Sequence, residues 1–222
     1  MREYASFTPC TPEIMRIAEK VQKALPPDSA PLKDHLSGIT LVDLPKCRVA
    51  SYEVISDCPE EAGGKFIEAW IEKHGLRMAS AAGQGDNGVV RYGFDCHKGR
   101  DICRENTACA KEQKGCWACR IYHQYVTLPE GVSIAGDDDV MVKNFPGGRF
   151  ARIAVRDPFA CEFPSAWYVL LKWAFKNKIK NRLGCKSPKD CYSVYSNEES
   201  PCLEELYWED GVQYMAMYLP VE

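Results

Sequence analysis

The feature that most constrains this chain is a repeat. Leu44-Pro45-Lys46-Cys47-Arg48-Val49-Ala50-Ser51-Tyr52-Glu53-Val54 lies over Phe145-Pro146-Gly147-Gly148-Arg149-Phe150-Ala151-Arg152-Ile153-Ala154-Val155 at a constant offset of 101 residues. Pro, Arg, Ala and Val are identical, and the same offset carried onward pairs Glu61 with Glu162 and Phe66 with Trp167. Self-similarity at a fixed offset predicts a fold assembled from two like units.

Each unit opens on a strand, because Val49, Ser51, Glu53 and Ile55 alternate with Ala50, Tyr52 and Val54. A helix follows from Pro59 to Lys73, with Pro59 in its first turn, Glu60 and Glu61 at its positive end and Gly75 past its C-terminus. The second helix is expected from about Pro164 to Ile179, with Trp167, Leu170, Leu171, Ala174 and Phe175 on its buried face. Two more strands are expected after each helix: Gly88 to Phe94 and Arg120 to Leu128 in the first unit, Cys191 to Tyr195 and Val212 to Pro220 in the second. The predicted class is α+β: duplicated strand-helix-strand-strand units with pseudo-twofold symmetry, whose antiparallel sheets form a cleft. The division is an N-terminal helical extension, 1–38, then 39–222, comprising repeat one (39–130, with a Cys-rich insertion at 95–115) and repeat two (138–222). In the extension, Ile14 to Leu25 reads as one amphipathic helix that packs on the domain or joins a subunit contact.

Composition narrows the function classes. Hydrophobic residues at 45% and charged residues at 27% over 222 residues are ordinary globular values. A net charge of −3 without a basic face argues against nucleic-acid binding by this chain alone, and one N-terminal helix is too little for a helix-turn-helix. The best apolar stretch, Trp167 to Leu171, is broken by Lys172, far short of the ~20 residues that span a bilayer. Met1-Arg2-Glu3-Tyr4 has no apolar run behind it, so no signal peptide is read and the expected location is cytoplasmic.

Four stretches carry a family resemblance: Val42-Asp43-Leu44-Pro45 leading into Arg48-Val49-Ala50, Cys119-Arg120-Ile121-Tyr122, Phe145-Pro146-Gly147-Gly148-Arg149-Phe150-Ala151, and Tyr218-Leu219-Pro220-Val221. In this order they resemble the GyrI-like, or AraC-type, effector-binding domains of bacterial and archaeal regulators, over roughly residues 39–222. The resemblance implies a duplicated α+β fold with a cleft for small, often cationic and aromatic molecules. In regulators such a domain follows a DNA-binding domain, so the comparison here is with stand-alone members, some of which sequester ligands or hydrolyse reactive electrophiles. One departure stands out. The family has a Glu two residues before a Tyr in the second unit's middle strand, and in Cys191-Tyr192-Ser193-Val194-Tyr195 that position is Ser193. A buried carboxylate is what makes an apolar pocket hospitable to a cation. With Ser there, a neutral or hydroxyl-bearing ligand becomes as good a candidate, and Glu53, Glu162, Glu204 or Glu205 substitutes only where the fold aims one inward.

The expected ligand contacts are Tyr92, Tyr122, Trp167, Ser193, Tyr195 and Trp208, aromatic except for Ser193 and able to stack on a flat molecule or a cation. Tyr195 and Trp208 lead: Tyr195 shares a strand face with Ser193, and Trp208 sits by Glu204, Glu205, Glu209 and Asp210. Against each stands the plain alternative that an aromatic on a helix stripe is core.

Twelve cysteines in 222 residues fall below the roughly 8–10% of a secreted disulfide scaffold. Five are concentrated: Cys96, Cys103, Cys109, Cys116 and Cys119, flanked by His97 and His123. Thiolates on zinc or another thiophilic metal, an iron–sulfur centre included, would hold such an insertion. Only Cys116-Trp117-Ala118-Cys119 has a knuckle's spacing, so disulfides and free thiols stay open. Of the scattered remainder, Cys185, Cys191 and Cys202 lie in turn-rich sequence where two of them can pair, and Cys58 and Cys161 lie near helix starts without an assignable His. No standard hydrolase motif is present.

The preferred reading is a small-molecule-binding or sensing module, without certain cofactors, working with a partner regulator or as a homo-oligomer. A hydrolase of reactive electrophiles using a cleft carboxylate, and a protein-interaction module built on the insertion, are the alternatives.

Overall fold

In a computed structural model of the chain, residues 7–56, 58–79, 88–95, 120–137, 139–193 and 198–222 are described. Helix α1 (Pro12–Gln22) starts where Thr11 accepts a bond from the Ile14 N–H and proline fills the first turn. Its buried residues, Ile14, Ile17, Ala18 and Val21, fall at helical spacing. They join a core cluster with Ile153, Val155, Leu170 and Leu219, so this stripe is consumed inside the chain.

The strands are β1 (Thr40–Leu44), β2 (Cys47–Ser56), β3 (Arg77–Met78), β4 (Gly88–Val89), β5 (Arg91–Asp95), β6 (Arg120–Leu128), β7 (Val140–Phe145), β8 (Gly148–Arg156), β9 (Leu203–Glu209) and β10 (Val212–Pro220). Eight form one antiparallel sheet in the order β1-β8-β10-β9-β5-β6-β2-β7, and β3 with β4 forms a small parallel pair. The strands flanking the two repeated Pro-containing connectors do not pair across them: β1 lies on β8 rather than β2, and β7 lies on β2 rather than β8. The two connectors therefore meet. A Cβ at Gly147, whose φ is +66°, would lie 2.5 Å from the Leu44 carbonyl oxygen and 2.6 Å from the Lys46 nitrogen, which explains a glycine in the Phe-Pro-Gly-Gly run.

The sheet curls. One cluster contains Leu44, Val49, Tyr92, Tyr125, Phe145, Phe150, Ala154, Leu203, Ala216 and Tyr218, drawn from all eight strands, so the inner face is closed around its own aromatics. The outer face carries the helices. Helix α2 (Pro59–Lys73) packs on β2 and β6, and α3 (Ala166–Lys176) packs on β8 and β10. Strands β5 and β9, which join the two sides of the sheet, lie between them.

Several elements depart from expectation, and the strand expected over Gly88 to Phe94 is broken at Val90 into β4 and β5, which belong to different sheets. Residues 188–193 form a short helix, α4 (Pro188–Ser193), where a strand over Cys191–Tyr195 was expected. The β-prone Cys-Tyr-Ser-Val-Tyr run is overruled by what precedes it. Ser187 accepts from the Asp190 N–H at 3.2 Å, Pro188 takes the first helical position, and Asp190 sits in the first turn. The strand beside β10 is instead β9, paired over its whole length from Val212↔Glu209 to Tyr218↔Leu203. Helix α3 also begins later than predicted, because Pro158–Ala160 and Phe163–Ser165 form 3-10 turns ahead of it.

Candidate functional site

Side chains of a strand alternate between faces, so the adjacent pair Glu204 and Glu205 on β9 must part. Glu205 turns inward among the aromatics and is buried, accepting the Tyr218 hydroxyl in a short hydrogen bond. Glu204 turns outward into the strip between α2 and α3.

Three elements converge on Glu204. From α3, the Trp167 indole N–H donates to Oε1 at 2.9 Å. From β6, the Tyr122 hydroxyl donates to Oε2 at 3.1 Å. From β5, Gly93 is its partner across the ladder. The missing side chain at Gly93 is what admits Tyr122, because a Cβ there would fall within 3.0 Å of the phenol's oxygen, Cζ and Cε1. Burial pushes the Glu204 carboxyl up to about 6; the Trp167 and Tyr122 bonds oppose the rise, while the charges of Asp95 and Glu60 add to it. Burial, then the charges of Glu204, Asp95 and Glu60, lift Tyr122 well above the ordinary phenol range, so it remains a neutral donor. Each carboxylate oxygen has lone-pair capacity beyond its one donor. This half-buried group can take a cation, a hydroxyl or a water.

The other anticipated residues lie as follows. Tyr92 points to the inner core, where its ring meets Tyr218 edge-on at 5.8 Å; Gly93, not Tyr92, shares the face of Glu204. Trp208 is on the Glu204 side of β9, 61% exposed. Ser193 closes α4 and so does not stand in for a strand carboxylate: the strand is β9, and it carries Glu205 two residues before Tyr207. Tyr195 lies outside the described residues, as do Cys96, Cys103, Cys109, Cys116 and Cys119. Among the described residues no group of three or more His, Cys, Asp or Glu side chains is disposed to hold a metal. Glu53 lies 3.3 Å from His123 Nε2, and Glu162 is exposed ahead of α3.

Among the described thiols, burial works against reactivity at Cys161 and Cys202. Burial, with Glu162 and Asp157, pushes the Cys161 thiol up to about 11, opposite to what a helix start would do. Burial and then Glu204 push Cys202 to about 12. Cys58 is exposed, 3.7 Å from Glu61 Oε2. Cys185 and Cys191 form a disulfide with their Cα atoms 5.2 Å apart, the pairing left open for the turn-rich segment.

The signal for Glu204 was present but divided. Leu203, Glu205 and Tyr207 alternate with Glu204, Leu206 and Trp208, yet two adjacent acids break the apolar alternation that marks a strand.

No family model matches the sequence, and no curated protein does. The fold is nevertheless shared with solved structures. The C-terminal domain of EcmrR superposes with a TM-score of 0.52 at 11% identity, covering 83% of this chain and 96% of that one. An uncharacterized conserved protein from Listeria innocua gives 0.51 at 12% identity, with 83% and 92% covered. EcmrR in its DNA complex gives 0.52 at 12% identity, and there this chain spans 94% of its own length but 64% of the other. The likeness is one of fold. Among the described residues no helix is long and apolar enough to cross a membrane.

Proposed function

We propose that the chain is a small-molecule-binding protein of the GyrI-like effector-binding type, built from related units at 39–130 and 138–222, and that its ligand sits on Glu204. The observation that carries this reading is a half-buried carboxylate held between a tryptophan and a tyrosine, on the strands between the two helices. The expected ligand is flat and hydrophobic with a positive charge or a hydrogen-bond donor near one end. Trp167 and Tyr122 position the carboxylate, and the half-buried Trp167 indole supplies a wall for stacking. A cytoplasmic sensor or sequestering role belongs to the same reading.

The test uses flat aromatic compounds in cationic and neutral forms, followed by thermal shift and tryptophan quenching. A permanently charged cation should bind above pH 6 and lose about tenfold in affinity per unit well below it, as the carboxylate fills with protons. Glu204→Gln should weaken that cation at least tenfold while sparing a neutral analogue. No thermal shift and no quenching across the panel would sink the reading.

The same carboxyl supports a second reading. With a pKa near neutrality it is suited to general-base activation of water, hence to hydrolysis of a reactive electrophile. Turnover abolished by Glu204→Gln would establish it; stoichiometric binding alone would count against it.

For Cys96, Cys103, Cys109, Cys116 and Cys119 the proposal is zinc or another thiophilic metal, supported by residue chemistry alone. Protein purified without oxidant should carry about one equivalent. Absence of metal together with five titratable thiols removes it.

A further inference from the structure

Strand β9 does more than carry Glu204. It pairs with β10 residue for residue from Leu203 to Glu209 without a bulge, so Glu204, Leu206 and Trp208 share one face. Leu206 is half-buried and Trp208 is 61% exposed. An exposed aromatic by itself means little. This one stands in line with the carboxylate, at roughly 13 Å by the rise of four strand residues. Phe159 and Trp208 are the exposed aromatic side chains among the described residues, and both lie at this end of the sheet. Gln213 faces Trp208 across the ladder, and its carbonyl accepts the Asp157 N–H at the head of the Pro158–Ala160 turn. The strip therefore runs from a polar floor at Glu204, over Leu206, to an aromatic outer end.

We infer that Trp208 is a specificity-determining residue that selects elongated ligands: molecules with a cationic or donor group for Glu204 and a flat aromatic group roughly 13 Å away to stack on the indole. This rests on Glu204 being the ligand's anchor. An indole already in water loses little on meeting a ring, and stacking removes apolar surface from water on both partners. A short ligand seated at Glu204 does not reach it.

The experiment compares two aryl-trimethylammonium probes on the full chain by titration calorimetry. In one the naphthyl ring is attached directly to the nitrogen; in the other a linear spacer sets it roughly 13 Å away. The long probe should bind about tenfold more tightly. Trp208→Ala should erase that difference and leave the short probe unchanged, and Trp208→Phe should retain most of it. Because Trp208 is exposed, these variants should melt with the parent. Equal affinities of the two probes for the parent, or an equal loss of both on Trp208→Ala, overturns the inference and leaves Glu204 as the anchor. Failure of both probes to bind takes the inference down together with the reading it rests on.

Discussion

Replacing Arg152 with Met should cost about 3–5 kcal/mol of stability at neutral pH, which makes it among the most damaging single changes available in the inner core. Arg152 comes from β8 and is 4% exposed. Its Nε donates to the Tyr218 hydroxyl at 3.2 Å, and an Nη donates to the Tyr207 hydroxyl at 2.8 Å. The Tyr218 hydroxyl in turn donates to Glu205, itself 5% exposed. Burial works against the guanidinium's charge, yet Tyr218, Tyr207 and Glu205 together hold it firmly protonated, above the ordinary arginine value. Removing it takes the cation out of a buried network that still contains a carboxylate. Urea melts at pH 7 read the loss. The double change Arg152→Met, Glu205→Leu should recover most of the stability at pH 7. A single variant that melts like the parent, or a double variant no better than the single, would count against the network as described.

The same network bears on Glu204. A one-residue slip of a strand sends every side chain to the opposite face, and with two adjacent glutamates the slip would exchange one acid for the other. Arg152 grips β9 directly through Tyr207 and indirectly through Tyr218 and Glu205. By fixing those two inward it fixes Glu204 outward.

The second large effect is expected at Gly93. An alanine there would overlap the Tyr122 phenol, so either the ring leaves Glu204 or β5 moves off β9. Overpacking of this kind costs about 1–3 kcal/mol, and a lost hydrogen bond to a charged group about 1.5–3 kcal/mol. Ligand affinity at Glu204 should fall more in Gly93→Ala than in Tyr122→Phe, which removes the hydroxyl but keeps the ring. In Gly93→Ala, Tyr122→Ala the clash is gone, so the two changes should be strongly non-additive in a double-mutant cycle. Additive losses would mean that Gly93 does not act through Tyr122.

How legible all this was depended on range. The spans of α2, β6 and β10 follow from patterns within each segment, such as Pro59 with Glu60 and Glu61 at the start of α2. The departure at 188–193 is local as well: the Ser187-Pro188 helix start outweighs the β-prone residues that follow it. Tyr122 and Trp167, both anticipated as ligand contacts, donate to the same carboxylate. The carboxylate position was expected in Cys191–Tyr195, with Glu204 among the possible substitutes, and Glu204 lies on β9. Tyr92 was anticipated beside them, but the alternation of β5 sends it to the inner face.

What the sequence by itself determined was the inventory and its order: the repeated Pro-x-x-Arg-x-Ala stretch, the helices that follow each copy, and the aromatic and acidic residues from which a site could be made. These are properties of neighbouring residues, and local physics is enough to read them. What only the tertiary structure decided was which acid meets Trp167 and Tyr122. Glu204 and Glu205 are chemically identical neighbours, and nothing local distinguishes them. They part because β9 is held between β10 and β5 with Arg152 bound on its inner side, which closes that face around Glu205 and leaves Glu204 to Trp167 and Tyr122.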